Sequence, residues 1–188
     1  MVAHTKDGST IEGESHITKA FRQIDYIEYK NKVKPTREVI QALDTADLII
    51  IGIGSLYTSV IPNLLSDEVV KILKNSSAKK MYISNIMTEH GETDNYSVSD
   101  CVKQINRYAK GNFIDVVIAN NGQVAEEILK LYNEENSQPI PLDKEELEKM
   151  NVKVIEDNLV KIVNNQVRHD SVRTALDIFT YINNSGDV

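Results

Sequence analysis

The chain has 188 residues, a formal net charge of −7 and one cysteine, and 41% of its residues are apolar. This size suits one globular domain, whereas the acidic balance excludes a general nucleic-acid surface, which needs a basic stripe. The most apolar run, residues 48–53, is far shorter than the about 20 residues of a membrane-spanning helix. Because the single Cys101 excludes an internal disulfide and no signal peptide is visible, we expect a cytoplasmic protein.

The first 30 residues are predicted to form β structure. Asp7 and Gly8 are typical of a tight hairpin turn, and residues 24–29 alternate apolar and polar side chains. Helices and strands then alternate along the chain. The predicted helices and strands that follow are a helix from Pro35 to about Thr45, a strand over 48–51, a helix over 63–74 and strands over 80–86 and 113–119.

The clearest helix begins at Ser97, which has capping-box spacing to Asp100. Cys101 lies on the apolar stripe of this helix, which favours a structural cysteine over a reactive one. Asp143 and Glu146 have the spacing of another helix cap.

The carboxyl-terminal third of the chain is predicted to end in strands and one more helix. A helix follows residues 120–122, and residues 152–170 are typical of a strand hairpin with Asn-rich turns. The last helix is predicted to begin at Asp170, its N-cap. The side chains that it is expected to bury are Val172, Ala175, Leu176, Phe179 and Ile182.

Strands that read as continuous Val/Ile runs between helices indicate an α/β, Rossmann-like, mostly parallel sheet with helices on both faces, plus small β-hairpins. Ligands of such sheets lie beyond the carboxyl ends of the strands. Three predicted strands end in polar loops, over residues 52–59, 85–96 and 120–122. Because these loops meet at one end of the sheet, the sequence predicts a ligand site there.

The 52–59 loop has the composition of a phosphate-binding turn, although it is neither a dinucleotide fingerprint nor a Walker loop. Its glycines permit close backbone approach, and its amides and hydroxyls can donate to an anion. A plain strand-to-helix turn with capping hydroxyls explains the same residues equally well. The candidate phosphate-binding residues are Gly52, Gly54, Ser55, Tyr57, Thr58 and Ser59.

The 84–97 loop is longer than a plain connection needs. His90, Glu92 and Asp94 suggest a metal site, but their spacing matches no recognised ligand pattern, so no metal site and no catalytic residue are assigned. Arg168 precedes a helix N-cap and has the chemistry to clamp a phosphate. From sequence physics alone, a surface ion pair is the better interpretation of Arg168.

Four segments carry a resemblance to a known family: "ADLIIIGIGSLYTSVIPNLL" (46–65), "KKMYISNIMTEHGETDNYSVSDCVKQI" (79–105), "FIDVVIANN" (113–121) and "VRHDS" (167–171). Together they resemble the gluconeogenesis factor (YvcK-like) proteins of the CofD-like (2-phospho-L-lactate transferase) superfamily. The resemblance runs over nearly the whole chain, and its second segment is highly specific. It implies a Rossmann-like cytoplasmic bacterial protein that binds a UDP-sugar and influences central carbon metabolism, cell shape and cell-wall synthesis.

The resemblance also assigns residues to a nucleotide-sugar site. It implies that the 52–59 loop contacts phosphate, that Asn85 and Thr88 face the same cleft as this loop, and that Tyr132 and Arg168 match the family's UDP-sugar-binding tyrosine and arginine. On this basis Arg168 changes from a surface residue to a functional one. Asn120, in the polar loop after its strand, is a further candidate residue of the same site.

Two features depart from the family pattern. Ile53 stands where the family usually has proline between two glycines, and the family's glycine-rich opening segment has no match in this sequence. We therefore expect residues 1–188 to be the later portion of a single CofD-like domain, and this chain alone to bind a nucleotide weakly or not at all.

Two functions from different classes follow from the resemblance. The first is a UDP-sugar-binding regulatory protein without catalysis, favoured because no convincing acid–base pair is present. The second is a transferase that moves a phospholactyl group from a guanylyl donor to a deazaflavin, with Mg²⁺ as its cofactor. No nucleic-acid or membrane partner is expected, and a homo-oligomer is compatible with a free sheet edge.

Overall fold

Three short strands form an antiparallel sheet near the amino terminus, in a computed structural model that describes residues 1–185. The elements are β1 (Val2–Thr5), β2 (Thr10–Glu12), α1 (Glu14–Ala20) and β3 (Ile24–Glu28). The predicted hairpin is confirmed, because β1 pairs with β2 around Gly8, which has φ +84°. The prediction of β structure throughout this segment is wrong over α1, whose two turns are too short for apolar periodicity to register.

Alternating helices and strands follow. They are α2 (Arg37–Asp44), β4 (Leu48–Ile51), a π-helical turn (Leu56–Val60), a 3₁₀ turn (Ile61–Leu64), α3 (Asp67–Asn75), β5 (Lys79–Ile83), α4 (Val98–Tyr108), β6 (Val116–Asn120), α5 (Glu126–Glu134), α6 (Lys144–Lys149), β7 (Lys153–Asp157), β8 (Val160–Val163), β9 (Gln166–His169) and α7 (Ser171–Ser185).

A parallel four-stranded sheet in the order β4-β5-β6-β7 forms the centre of the fold, so the predicted α/β class with a parallel sheet is confirmed. In register, Ile51 pairs with Tyr82 and Ile83 pairs with Ile118. The predicted hairpin over residues 152–170 is correct only for β8 and β9, which pair antiparallel around an Asn-Asn turn. β7 instead joins the parallel sheet beside β6, because a half-apolar strand suits either neighbour and only long-range pairing decides between them.

Alternating side chains of this sheet build an apolar core on each face. Tyr82 and Val117 point into the larger core, which α4 and the amino-terminal sheet also fill. Met81 and Val116 point to the other side, where they pack with Ile128 of α5. The sheet is therefore covered by helices on both faces, as the sequence predicts.

Helix α7 packs through a different face from the predicted one. Asp170 is the N-cap as predicted, since its Oδ1 accepts hydrogen bonds from the Val172 and Arg173 amides. Thr174 is buried and Ile178 packs on the core. Of the five residues predicted to be buried, Ala175 and Ile182 are half-buried and the other three are mostly exposed: Val172 (73%), Leu176 (63%) and Phe179 (63%). Apolar side chains lie on two stripes of this helix, and periodicity does not say which stripe meets the sheet.

Polar side chains lie at the starts of two other helices, α4 and α6. The predicted capping box of α4 is confirmed, with Ser97 and Asp100 bonding each other's amides. Asp143 is the N-cap residue of α6, as predicted, but its side chain makes no capping hydrogen bond there. Its carboxylate accepts instead from the Ser97 and Ser99 hydroxyls at 2.7 and 2.6 Å, and thereby joins α6 to the start of α4.

Helix α3 is shorter than predicted. It begins at Asp67, after the N-cap Ser66. The 3₁₀ turn Ile61–Leu64 occupies the start of the predicted helix, where Pro62 stands in the first turn.

Candidate functional site

The polar loops that follow β4, β5 and β6 leave the parallel sheet at the same end, because the three strands are parallel neighbours. The β8-β9 hairpin and α5 approach the same end. A pocket of about 350 Å³ lies between these segments, and we call it the strand-end pocket. Its lining residues are Ile53, Gly54, Asn85, Ile86, Met87, Thr88, Glu89, Tyr132, Val167, Arg168 and His169.

Asn85 and Thr88 contribute the first polar wall of the strand-end pocket. The Oδ1 atom of Asn85 is shielded from solvent and accepts no hydrogen bond from the described residues. Thr88 is buried and held on three sides: its amide donates to the Gln138 carbonyl at 2.7 Å, its Oγ1 accepts from the Gln138 amide at 2.9 Å, and its carbonyl accepts from Ser137 Oγ. This wall is therefore rigid around Thr88 and has an unmatched acceptor at Asn85.

Tyr132 and Arg168 also line the strand-end pocket. The Tyr132 hydroxyl accepts a hydrogen bond from the Val167 amide at 2.8 Å, which joins α5 to β9. Arg168 is exposed, and its guanidinium donates to the neighbouring Gln166 side chain. Residues from two distant segments thus place a hydroxyl and a cation at one opening.

The turn after β4 is already occupied by a carboxylate of the protein. Glu92, only 5% exposed, accepts hydrogen bonds from the Tyr57 amide and the Thr58 hydroxyl, both at 3.1 Å. Burial raises the pKa of Glu92 to about 7, the Glu89 carboxylate adds to the rise, and the bonds to Tyr57 and Thr58 oppose it. The amide of Tyr57, which the sequence assigns to phosphate, is therefore bound to Glu92.

The other predicted phosphate contacts of this loop lie in different places. The Tyr57 ring is in the core, with its hydroxyl 2.9 Å from that of Tyr96. Ser59 lines a separate apolar groove beside β4. Ser55 faces a neighbouring acidic pocket of about 750 Å³, which shares Thr88, Glu89 and Tyr132 with the strand-end pocket. Within residues 52–59, only Ile53 and Gly54 reach the strand-end pocket itself.

Gly52 and Asn120 shape the loops. A Cβ on Gly52 would lie 2.7 Å from the Ile83 carbonyl oxygen, so only glycine permits β4 and β5 to approach here. The Gly52–Ile53 peptide bond is cis.

Asn120 holds the loop after β6. Its Oδ1 accepts hydrogen bonds from the amides of Gly122 and Leu159 at 3.1 and 3.0 Å. Asn120 thus lies at the predicted end of the sheet but not in the strand-end pocket, and its contact with a ligand stays a prediction.

Of the three residues considered as metal ligands, His90 and Asp94 contact each other and Glu92 bonds elsewhere. His90 Nδ1 lies 2.8 Å from Asp94 Oδ1, and Asp94 Oδ2 accepts from the Gly91 amide, whereas Glu92 bonds the turn after β4. In the part of the chain that the structure describes, no group of three or more His, Cys, Asp and Glu side chains is arranged to hold a metal ion. These residues do not fit a protein-held Mg²⁺.

Sequence reasoning assigns no role to His169, although it lines the strand-end pocket. Its Nε2 lies 2.9 Å from the Ser84 carbonyl oxygen. Burial lowers the pKa of His169, and the bond to Ser84 opposes this only in part. The sequence feature that could have identified His169 as a site residue is its position at the end of a strand, between Arg168 and the N-cap Asp170.

Cys101 does not reach the strand-end pocket. It lies in the larger core, and burial raises the pKa of its thiol to about 12. No helix within the described residues is long and apolar enough to cross a membrane.

The strand-end pocket offers the chemistry of ligand binding. It is half-apolar and contains the Arg168 cation, the neutral His169, and the Asn85 amide oxygen that accepts no hydrogen bond from the described residues.

Comparison with known proteins agrees with this architecture. The family model for 2-phospho-L-lactate transferase CofD matches residues 1–160. The chain is similar to the gluconeogenesis factor of Listeria innocua (40% identity over 93% of this chain) and to that of Bacillus subtilis (38% over 92%). The crystal structure of protein BH3568 from Bacillus halodurans superposes with a TM-score of 0.89 at 34% identity, over 95% of this chain.

The chain spans only part of these proteins: 54% of the Listeria relative, 55% of the Bacillus subtilis relative and 58% of the Bacillus halodurans chain. Within that span, this chain matches the family model in sequence and the solved structure in fold. This chain belongs to the CofD family, and its relatives are the gluconeogenesis factors.

Proposed function

We propose that the strand-end pocket binds a UDP-sugar and that the protein acts as a regulatory ligand-binding protein in gluconeogenic carbon metabolism, cell shape and cell-wall synthesis, without catalysis. The observation that carries this proposal is the convergence of Gly54, Thr88 and Arg168 from three distant segments on one pocket at the carboxyl end of a parallel sheet. Relatives named gluconeogenesis factor support the metabolic role.

The charges of the pocket support an anionic ligand. Arg168 is its cation, and a guanidinium can clamp a diphosphate through two parallel hydrogen bonds. Apolar side chains such as Ile53, Met87 and Val167 supply the surface on which a base or sugar ring packs. Since Glu92 already takes up the Tyr57 amide, we place the phosphates beside Gly54 and Arg168 and not at the Tyr57 turn.

The proposal is tested by titrating the ¹⁵N-labelled chain with UDP-N-acetylglucosamine and following amide chemical shifts. We expect saturable shifts confined to the strand-end pocket, with a dissociation constant on the order of 1 mM, as suits a few hydrogen bonds to a small ligand. Absence of saturable shifts at several millimolar ligand, or shifts confined to another face, overturns the proposal.

Two matched variants locate the contact. Arg168→Ala is expected to weaken binding about tenfold or more, because a charge-assisted bond to phosphate is lost. Lys161→Ala removes the same charge from the residue directly opposite Arg168 in the hairpin and is expected to leave binding unchanged. Equal losses in both variants would reduce the role of Arg168 to general electrostatics.

A phospholactyl transferase is the second candidate, favoured by the family model over residues 1–160. It requires turnover of a guanylyl phospholactate donor with a deazaflavin and Mg²⁺. Assay of the chain with these substrates distinguishes the two functions. Turnover that depends on the pocket residues replaces the regulatory proposal, whereas binding of a UDP-sugar without turnover supports it.

We also propose a cytoplasmic location and self-association. Ile50 is 44% exposed and lies on β4, the outer strand of the parallel sheet in the described chain. An apolar strand edge of this kind is a pairing surface. Analytical ultracentrifugation is expected to show a dimer that Ile50→Lys dissociates, and a monomer at all concentrations would contradict self-association.

A further inference from the structure

We infer that His169 is a specificity-determining residue of the strand-end pocket, which presents its unprotonated Nδ1 to a hydroxyl or N–H donor of the ligand. The inference rests on the proposed function and adds the chemistry that the ligand must carry. It starts from the last residue of β9, which pairs with Val160 in the hairpin and lines the pocket beside Arg168.

The tautomer of His169 is determined by its partner. Nε2 lies 2.9 Å from the Ser84 carbonyl oxygen, and a carbonyl oxygen only accepts hydrogen bonds, so Nε2 carries the proton. A neutral imidazole with a proton on Nε2 has a lone pair on Nδ1. Among the described residues, the carbonyl of Ser84 is the one hydrogen-bond partner of this ring, so none of them donates to Nδ1.

The ring is also kept neutral and fixed in place. Burial lowers the pKa of His169, so the imidazole is uncharged at pH 7. Ser84, its anchor, is fully buried directly after β5, and the Ser84 amide donates to the Ile118 carbonyl at 3.0 Å. A backbone carbonyl in that position moves little, so the orientation of His169 is set before any ligand arrives.

The neighbours of His169 indicate what its lone pair meets. Arg168 contributes donors, so it selects the acceptors of a ligand, above all phosphate oxygens. A ligand that lies beside Arg168 and also supplies a donor to His169 therefore carries both an anion and a hydroxyl or N–H group. Nucleotide-sugars carry donors in three places: the sugar hydroxyls, the ribose hydroxyls and the N–H of the base.

The first test is independent of any ligand. Long-range ¹⁵N–¹H spectra of the free chain are expected to show His169 as the neutral tautomer protonated at Nε2, from pH 6.5 to 8. A ring protonated at Nδ1, or a charged ring over this range, overturns the inference even if a UDP-sugar binds.

The second test uses isosteric variants and UDP-N-acetylglucosamine. His169→Gln keeps an N–H where Nε2 donates to Ser84 but has no acceptor at the Nδ1 position, so binding is expected to weaken five- to tenfold, the loss of one hydrogen bond. His16→Gln, at an exposed histidine of α1, is the matched control and is expected to bind as the unaltered chain does. Equal affinity of the His169→Gln variant and the unaltered chain overturns the inference.

The source of the donor is read from ligands that lack one group each. If His169→Gln does not weaken the binding of UDP, the donor is on the sugar. If it weakens the binding of UDP but not that of 2′-deoxy-UDP, the donor is the 2′-hydroxyl of the ribose. If it weakens the binding of both, the donor is on the base or at another ribose hydroxyl. If the unaltered chain binds none of these ligands, the proposed function fails, whereas the tautomer of His169 still stands or falls by its own spectrum.

Discussion

The carboxylate of Glu92 accepts a hydrogen bond from the Thr58 hydroxyl at 3.1 Å, across 34 positions of the sequence. This contact joins the loop after β5 to the turn after β4. Both loops border the strand-end pocket and its acidic neighbour. The geometry of the candidate site therefore depends on a buried acid that does not itself reach the strand-end pocket.

Replacing Glu92 by Gln is expected to change how stability depends on pH. The pKa of Glu92 is about 7 in the folded protein, against about 4.5 for an unhindered glutamate, because burial and Glu89 disfavour its charge. The folded state thus holds a proton that the unfolded chain releases, so stability is lost as pH rises from about 4.5 to 7. The loss is about 3 kcal/mol.

Urea denaturation of both proteins between pH 5 and 8 measures this effect. The two free energies of unfolding are expected to be similar near pH 5, and Glu92→Gln is expected to be the more stable by about 3 kcal/mol at pH 8. Glu127→Gln, on the exposed side of α5, is the matched control and should follow the unaltered chain. Parallel profiles for the chain and Glu92→Gln would mean that Glu92 is not held in its uncharged form.

Gly52→Ala is expected to destabilise the protein by about 3 kcal/mol. The added Cβ would lie 2.7 Å from the Ile83 carbonyl oxygen, and φ is +107°, which L side chains rarely adopt. Gly8→Ala separates the two causes, because Gly8 also has a positive φ of +84° but nothing lies within 4 Å of the position that a Cβ would take there. It should lose only about 1 kcal/mol in the same urea titration. Equal losses would show that β4 and β5 move apart to accept the methyl group.

Tyr132→Phe is expected to cost about 1–2 kcal/mol of stability, because the Val167 amide loses its acceptor. The local consequence is faster hydrogen exchange of the Val167 amide, which ¹⁵N spectra record directly. Tyr26→Phe, at an exposed tyrosine of β3, is the control. An unchanged exchange rate at Val167 would show that this hydroxyl does not hold the hairpin against α5.

Local sequence predicts the parts of this fold that local physics determines. The Ser97 capping box and the Asn164-Asn165 turn involve residues within three positions of each other, and both are confirmed. The strands β4, β5 and β6 are predicted because continuous Val/Ile runs suit a sheet that is buried on both faces. The end of the sheet at which the polar loops gather then follows from parallel pairing alone.

Contacts between distant residues decide what the sequence does not predict. The site depends on Tyr132 bonding Val167 and on His169 bonding Ser84, across 35 and 85 positions. No local sequence pattern predicts contacts between residues so far apart in the chain. The packed face of α7 is missed for a related reason: Leu176 and Ile178 are equally apolar, and only the position of the sheet decides which of them is covered.

Asp143→Ala is expected to destabilise the protein by about 2–3 kcal/mol at pH 7. Its carboxylate accepts from the Ser97 hydroxyl and from both the amide and the hydroxyl of Ser99, and bonds to a charged acceptor are among the stronger ones. Although burial alone would raise it, these hydrogen bonds hold the pKa of Asp143 below its usual value. The contribution is therefore complete above about pH 5, and it is lost as pH falls from there through the lowered pKa of the folded state.

Denaturation of the Asp143→Ala variant and the unaltered chain at pH 7 and at progressively lower pH measures this contribution. The difference in free energy of unfolding is expected to shrink as acid protonates Asp143, because a neutral carboxyl is a weaker acceptor than a carboxylate. Asp47→Ala, at an exposed aspartate before β4, controls for the loss of one negative charge. A difference that stays constant into strong acid would assign the stabilisation to packing between α4 and α6 and not to the charge of Asp143.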